Sequence, residues 1–480
     1  MPDKPNILIL MPDQQRADAM GCAGNARIKT PNINRIAREG IHFDSVYTVS
    51  PLCMPARASF ISGIYPHNHH IWQNAGQLPR DDETFFHHLQ KEGYFTVLIG
   101  KSHFYHPEPG QHLAQYEDYM HARGLDYLHE TTGPWATLEI GSYMRDYWEK
   151  RGLFELFKKD YVKRRKTKGY EFHDGHRKKR IDKVSVYPSP LSEEEFLDSY
   201  IGRKALEFIR SYNKNKPLCL FVSFGGPHEP WDAPGRYASM YETKDMPASI
   251  PAGSLGDWVP QEVVERLEFE KIAEKISKEN IQKIRANYYG KISLIDYWIG
   301  EILSVFERIK GPENTLVVFW SDHGEMLGDH QVLYKSVFYE SSISVPLLIR
   351  WPSHIQGGEK CKALVEVIDV YPTLLEAIGA EPSQRCFGKS LWPLLRNPEN
   401  NHRQAVFSEI SFAGHHNVMI RTLEYKYAVD ETGAGFLLYN LQNDPLEQNN
   451  LIGHPEMGHI EDWFDNLILS FLIEKQVRFK

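Results

Sequence analysis

Four short apolar runs in this chain each break off into a polar cluster, and that recurrence restricts the fold more than any other feature. Asn6–Met11 (NILILM) leads into Pro12-Asp13-Gln14. Phe95–Ile99 leads into Gly100-Lys101-Ser102-His103. Leu218–Phe224 leads into Gly225-Gly226-Pro227-His228, and Leu316–Trp320 into Ser321-Asp322-His323-Gly324. Short, nearly continuous apolar runs are the pattern of parallel strands buried on both faces. Helical stretches, Thr84 to Glu92 and Phe196 to Tyr212 among them, lie between the runs. Alternating strand and helix predicts an α/β fold with a mostly parallel central sheet flanked by helices. Ligands of such sheets bind at the carboxyl ends of the strands, so the four polar clusters are expected to converge on one site.

Composition narrows the function classes. A net charge of −8 argues against a nucleic-acid binder. No apolar run is long enough to span a bilayer, so no membrane partner is expected. The five cysteines are widely spaced, with no Cys-x-x-Cys pair, which excludes a zinc ribbon or redox dithiol and disfavours a disulfide framework. The opening MPDKPNILIL has no signal-peptide pattern. The sequence as written therefore reads as cytoplasmic, or periplasmic or secreted if a leader has been removed. Residues 1–395 are expected to form the catalytic domain, with a polar insertion at about 105–190. Residues 396–480 read as a smaller C-terminal α+β subdomain, with a small antiparallel sheet and a helix near Trp463–Lys475. The window Lys158–Lys168 holds seven basic residues and one acid, either a solvated helix or a surface that steers a polyanion.

One cysteine sits in an unusual setting. In SPLCMPARASFISG, Pro51 and Pro55 bracket Cys53, and Arg57 follows. A helix is expected to start at Pro55 and stop near Gly63, which puts Cys53 at its positive end. Such a corner stabilises a thiolate or an anion. A buried structural cysteine is the competing reading. A cysteine-phosphatase loop needs arginine six residues after the cysteine, and that residue is Ser59.

Cys-x-Pro-x-Arg followed by Ala-Ser-x-x-Ser-Gly resembles the signature of the type I, formylglycine-dependent sulfatases of the alkaline-phosphatase-like superfamily. PNILILMPDQQRAD, GKSHF, PHEP, SDHGEMLGDH, SVPLLIRWP and LYNLQNDPLEQNNL extend the resemblance over nearly the whole chain. It implies that Cys53 is oxidised to formylglycine by a formylglycine-generating enzyme and that Arg57 holds the product. It implies a divalent metal on Asp13, Gln14, Asp322 and His323. Three of these are hard oxygen donors, which favours Ca²⁺, with Mg²⁺ as an alternative; His323, where the family more often has Asn, raises the case for Mn²⁺. Gln14 also departs from the commoner Asp. Lys101 and Lys335 would face the sulfate, His103 would act as base when sulfate leaves, and His228 would protonate the departing alcohol. His67, His69, His70, His415 and His416 are further candidates for the pocket, and Trp72, Trp135, Trp148 and Trp231 for sugar faces.

The expected reaction is hydrolysis of a sulfate ester on a carbohydrate or other small alcohol. The phosphonate monoester and phosphodiester hydrolases of the same superfamily are the alternative. That group shares the cysteine motif and the Asp-Gln and Asp-His pairs, but the resemblance implies hydroxyl residues where this chain has Lys101 and His103. A silent glycan-binding protein, with Cys53 left as a thiol, is a third reading.

Overall fold

The four apolar runs become four adjacent strands of one eight-stranded sheet. The computed structural model describes residues 4–80, 82–166, 172–173, 176–177, 183–412 and 415–476. In chain order the strands are β1 (Asn6–Asp13), β2 (Ile41–Phe43), β3 (Phe95–Lys101) and β4 (Tyr127–Thr131). They continue as β5 (Leu218–Pro227), β6 (Thr315–Trp320), β7 (Leu347–Arg350) and β8 (Glu359–Cys361). The spatial order is β8-β2-β7-β6-β1-β5-β3-β4. β6, β1, β5, β3 and β4 are mutually parallel, and β7 alone runs against the rest. The polar clusters after β1, β3, β5 and β6 therefore lie along one edge.

Both faces of this sheet are covered, as the unbroken apolar runs require. Alternate residues of β1 enter different cores: Ile7, Ile9 and Met11 one, Leu8 and Leu10 the other. α1 (Cys53–Ser62) and α2 (Phe85–Lys91) pack on the first face through Phe60, Ile61, Phe85 and Leu89. α3 (Phe154–Arg165), α4 (Leu197–Ser211) and α5 (Lys278–Lys310) cover the second. The helices expected at Thr84 to Glu92 and Phe196 to Tyr212 are α2 and α4, trimmed by one residue at each end.

Two expectations need correction. α1 begins at Cys53, not Pro55. Pro55 still falls in the first turn, where a missing N–H leaves no intrahelical bond unmade. Gly63 ends the helix with φ 72°, as expected. The stretch at about 105–190, read as an addition with little strand content, supplies β4, which extends the main sheet. β4 escapes the period-based reading because it is an edge strand rich in polar residues, YLHET.

The C-terminal region forms a four-stranded antiparallel sheet of β9 (Val406–Phe412), β10 (His415–Arg421), β11 (Tyr425–Val429) and β12 (Gly435–Asn440). Helix α6 (Gly458–Glu474) packs on it. Val418, Ile420 and Phe464 join the same core as Ile7 and Phe60, so the subdomain is an extension of the first face. Among the described residues no helix is long and apolar enough to cross a membrane.

Candidate active site

The carboxyl ends of β1 and β6 and the first turn of α1 deliver Asp13, Asp322, His323 and Cys53 to one point. One ligand atom from each lies within 4.8 Å of those of the others. All four side chains are buried. The Cys53 sulfur is 3.0 Å from His323 Nε2 and 3.8 Å from Asp13 Oδ1. His323 Nδ1 lies 2.9 Å from the Gly324 carbonyl, which can only accept. Nδ1 therefore carries the proton, and Nε2 turns its lone pair toward Cys53 and the two carboxylates, the tautomer a metal ligand needs. Burial lowers the His323 pKa even against the Asp322 carboxylate, which keeps the ring neutral. Two carboxylates and an available imidazole nitrogen fit a divalent cation.

Gln14 follows β1 with φ 68°, a left-handed backbone that non-glycine residues seldom adopt. Its backbone N–H bonds Asp322 Oδ1 at 2.9 Å. Its amide nitrogen donates to Glu229 Oε2 at 3.0 Å and to Glu325, and its amide oxygen accepts from Lys335. Gln14 thus borders the cluster with its amide turned to these three groups.

Arg57 is 1% exposed and ties the site together. Its Nε donates to Asp322 Oδ2 at 2.7 Å, and another nitrogen lies 3.4 Å from Asp13 Oδ2. It also donates to the Lys101 carbonyl at 2.8 Å and to Ser223 Oγ at 3.2 Å. Burial disfavours the Asp13 charge, yet Lys101 and Arg57 hold its carboxyl well below the usual range. Lys101 pairs directly with Asp13. Gly100 makes this possible: with φ +106° it brings β3 so close to β5 that a Cβ would collide with the Ser223 carbonyl.

Lys335 Nζ lies 2.8 Å from His228 Nε2. Burial works against its charge, but the Cys53 sulfur, Glu229 and Asp13 outweigh burial and raise its pKa. His228 Nδ1 is 2.7 Å from the Glu229 carbonyl, so Nδ1 donates and Nε2 accepts from Lys335. His103 also has a left-handed backbone, φ 55°. Burial, then Lys101 and Arg57, push its pKa well below the ordinary imidazole value, and its Nδ1 has no hydrogen-bond partner among the described residues.

A cavity of about 440 Å³ opens over this floor. Cys53, Lys101, His103 and His228 line it together with Tyr105, His106, Leu113 and most of residues 130–140. The other histidine candidates lie elsewhere. His67 bonds Glu409 at 2.7 Å and the Lys475 carbonyl at 3.0 Å. His69 is buried against Ser59 Oγ at 2.9 Å. His415 pairs with Glu431, and His416 packs against Trp72. Of the tryptophans, Trp148 and Trp231 are core residues and only Trp135 lines the cavity. The basic window divides too: Arg164 is buried and bonded to Asp160 at 2.6 Å, and Arg165 pairs with Glu139. Residues 167–168 lie outside the described residues.

Sequence reasoning missed Ser223, Glu229 and Glu325, although the last two stand in the PHEP and SDHGE motifs that had been noticed. It also missed Glu130 and Thr131, which reach the cavity on β4.

The sequence profile described as Sulfatase matches residues 5–380. The chain belongs to the sulfatase family. A second profile, N-sulphoglucosamine sulphohydrolase, C-terminal, matches residues 328–471. The chain is 30% identical to an arylsulfatase of Clostridium perfringens, over 98% of this chain and 94% of that one. It is 26% identical to an N-acetylglucosamine-6-O-sulfatase of Bacteroides thetaiotaomicron, over 99% and 87% of the two chains. Its fold matches the phosphonate monoester hydrolase of Agrobacterium radiobacter with a TM-score of 0.75 at 22% identity, covering 98% of this chain and 96% of that one. As a sulfatase, this chain is a sulfuric ester hydrolase. Sulfatases in general use a divalent metal and a formylglycine, and the buried cluster at Cys53 has the donors for the metal.

Proposed function

We propose that Cys53, converted to formylglycine by a formylglycine-generating enzyme, is the nucleophile for hydrolysis of a sulfate ester on a carbohydrate or other small alcohol. The observation that carries this reading is the position of the Cys53 sulfur. It lies among Asp13, Asp322 and His323 on the floor of a cavity also lined by Lys101, His103 and His228. An aldehyde hydrate offers two hydroxyls on one carbon. One attacks sulfur, the alcohol leaves, and the other expels sulfate and restores the aldehyde.

The roles of the side chains follow from their places. Lys101 and Lys335 take the sulfate oxygens, and Lys335 must turn from Gln14 and His228 to do so. That turn frees His228 Nε2 to carry the proton for the leaving oxygen. His103, kept neutral by its surroundings, takes the hydrate proton when sulfate departs. Arg57 fixes Asp13 and Asp322 and the residue at position 53. Asp13, Asp322 and His323 would hold one divalent ion, with the Gln14 amide oxygen joining them once Lys335 turns away from it; we assign Ca²⁺ from the three oxygen donors, the imidazole is the feature that would select Mn²⁺, and Mg²⁺ suits the oxygens alone. When bound, such an ion would supply Lewis-acid chemistry there, offsetting sulfate charge and favouring ionisation of the attacking hydroxyl.

Lys101 and His103 on the cavity favour a sulfate monoester over a phosphonate monoester or phosphodiester, because two nitrogen groups suit the three terminal oxygens of a sulfate ester, where each of the other esters presents two. A glycan-binding protein without turnover would leave Cys53 as a thiol. The test is sulfate release from nitrophenyl sulfate by protein co-produced with a formylglycine-generating enzyme. The Cys53→Ala variant is expected to keep its fold and lose turnover. Wild-type rates in that variant would reject the nucleophile.

A further inference from the structure

The loop that carries His228 is gripped from behind by a buried ammonium that the chemistry above does not use. Residues 228–232 follow β5, and Lys291 of α5 reaches into them with 1% of its surface exposed. Its Nζ lies 2.7 Å from the His228 carbonyl, 3.1 Å from the Pro230 carbonyl and 3.0 Å from Asp232 Oδ1. Three acceptors are as many as an ammonium can serve, so no donor of Lys291 is left for a substrate. Lys291 does not line the cavity.

The same loop is tied to two helices at once. Asp232 Oδ2 accepts from the Tyr161 hydroxyl of α3 at 2.6 Å. Arg164, one turn further along α3, donates to the Trp231 carbonyl at 3.2 Å. Asn287, one turn before Lys291 on α5, accepts from the Ala233 N–H at 3.1 Å. Burying a cation with a carboxylate is costly, and an apolar pair of similar size often stabilises a fold as well. What the ammonium adds is direction, because its three bonds fix where the loop sits. The His228 ring depends on that loop. Its Nδ1 donates to the Glu229 carbonyl at 2.7 Å, and the carbonyls on either side of that one are the two that Lys291 holds. A shift of the loop would swing Nε2 away from the leaving oxygen, and proton transfer tolerates little displacement.

We infer that Lys291 is the positioning residue for His228, fixing the loop so that Nε2 meets the leaving oxygen. This rests on the assignment of His228 as the proton donor and adds the group that aims it. It also gives Arg164 of the basic window a place in the same frame.

Lys291→Met tests it, because the substitution keeps an unbranched side chain and removes the ammonium. The substrates are nitrophenyl sulfate and the phenyl and methoxyphenyl sulfates, whose oxygens leave less readily. kcat/KM is measured for wild type, Lys291→Met, His228→Ala and the double variant. Lys291→Met is expected to lose about tenfold or more on methoxyphenyl sulfate and less than about threefold on nitrophenyl sulfate. In the His228→Ala background the same substitution should cost less than about twofold on any of the substrates, because no acid is left to misplace. Lys291→Met leaves Asp232 buried without its cation, so Lys291→Met combined with Asp232→Asn is measured beside it. The Asn amide oxygen still accepts from Tyr161, no unpaired charge remains there, and the same dependence on the leaving group is expected. Melting temperatures establish that each variant is folded. A lysine that only stabilises the fold would lower all substrates alike and would keep its cost without His228. Equal losses across the series, or an undiminished cost in the His228→Ala background, would therefore overturn the inference. Equal losses across the series in His228→Ala itself would overturn the acid assignment and this inference with it, so the two failures are told apart.

Discussion

His228 shows how one residue's surroundings set a testable role. Its Nδ1 is committed to the Glu229 carbonyl and its Nε2 faces Lys335. Only Nε2 can serve a leaving group. A sugar alkoxide needs a proton to depart, and a nitrophenolate barely does. His228→Ala is therefore expected to lose about a hundredfold or more in kcat on a sugar sulfate and far less on nitrophenyl sulfate. Equal losses would remove the acid role. At the metal cluster, elemental analysis should find one divalent ion per chain, and Asp13→Asn combined with Asp322→Asn should lose it; an unchanged metal content in that variant would refute the ligand set. Glu130 gives a pH test. Burial raises its pKa from 4.5 to about 7, with the Ser102 and Tyr105 bonds opposing that rise. Between those values the folded state holds a proton that the unfolded state has released, so this group's contribution to stability falls as pH rises from about 4.5 to 7, by a few kcal/mol in all. Glu130→Gln should melt higher than wild type at pH 8 and at the same temperature near pH 4. A difference independent of pH would show that burial does not shift the Glu130 carboxyl. The motif residues of the site were legible because their chemistry is specific: Cys53 beside Pro55 and Arg57, and an Asp-His pair after an apolar run. Glu229 and Glu325 were not, because a buried carboxylate that orients an amide leaves no spacing signal. His67 and His69 misled because a histidine satisfied by Glu409 or Ser59 has the same one-letter signature as a pocket histidine.

At the scale of elements, β1, β3, β5 and β6 were readable because burial on both faces forces continuous apolar runs. β4 was not, since Tyr127 is exposed at the sheet edge and Glu130 and Thr131 face the cavity. The start of α1 was misplaced because Pro55 is tolerated anywhere in a first turn, so it marks the turn and not the residue. Gly100 carries a clear expectation. Alanine there meets both a left-handed φ and the Ser223 carbonyl, so β3 and β5 must separate just where Lys101 and Arg57 are placed. Gly100→Ala is expected to cost more than about 1 kcal/mol of stability and to lower kcat as well. Chemical denaturation and steady-state rates measure the two. Wild-type values for both would show that the strand spacing does not position the site.

In the whole molecule, the C-terminal sheet and the catalytic sheet share one apolar core. Lys426 of β11 also reaches back to the Phe338 carbonyl at 2.9 Å and pairs with Glu447, while the Glu340 N–H bonds Glu447 at 2.7 Å, so the segment just after Lys335 is clamped from that side. A chain cut at residue 400 is therefore expected to be insoluble, and the full chain to unfold in one calorimetric transition. Two separated transitions would contradict the shared core. Composition changes near residue 400 made the subdomain legible, whereas its merger with the main core depends on packing that no local pattern encodes. The account as a whole depends on the fate of one sulfur atom. Peptide mass spectrometry of residues 50–63, from protein co-produced with a formylglycine-generating enzyme and active on nitrophenyl sulfate, measures it directly. The expected result is the mass change for replacing the CH2–SH of Cys53 by an aldehyde, in a fraction that rises with specific activity. An active enzyme whose Cys53 remains wholly a thiol would contradict the account.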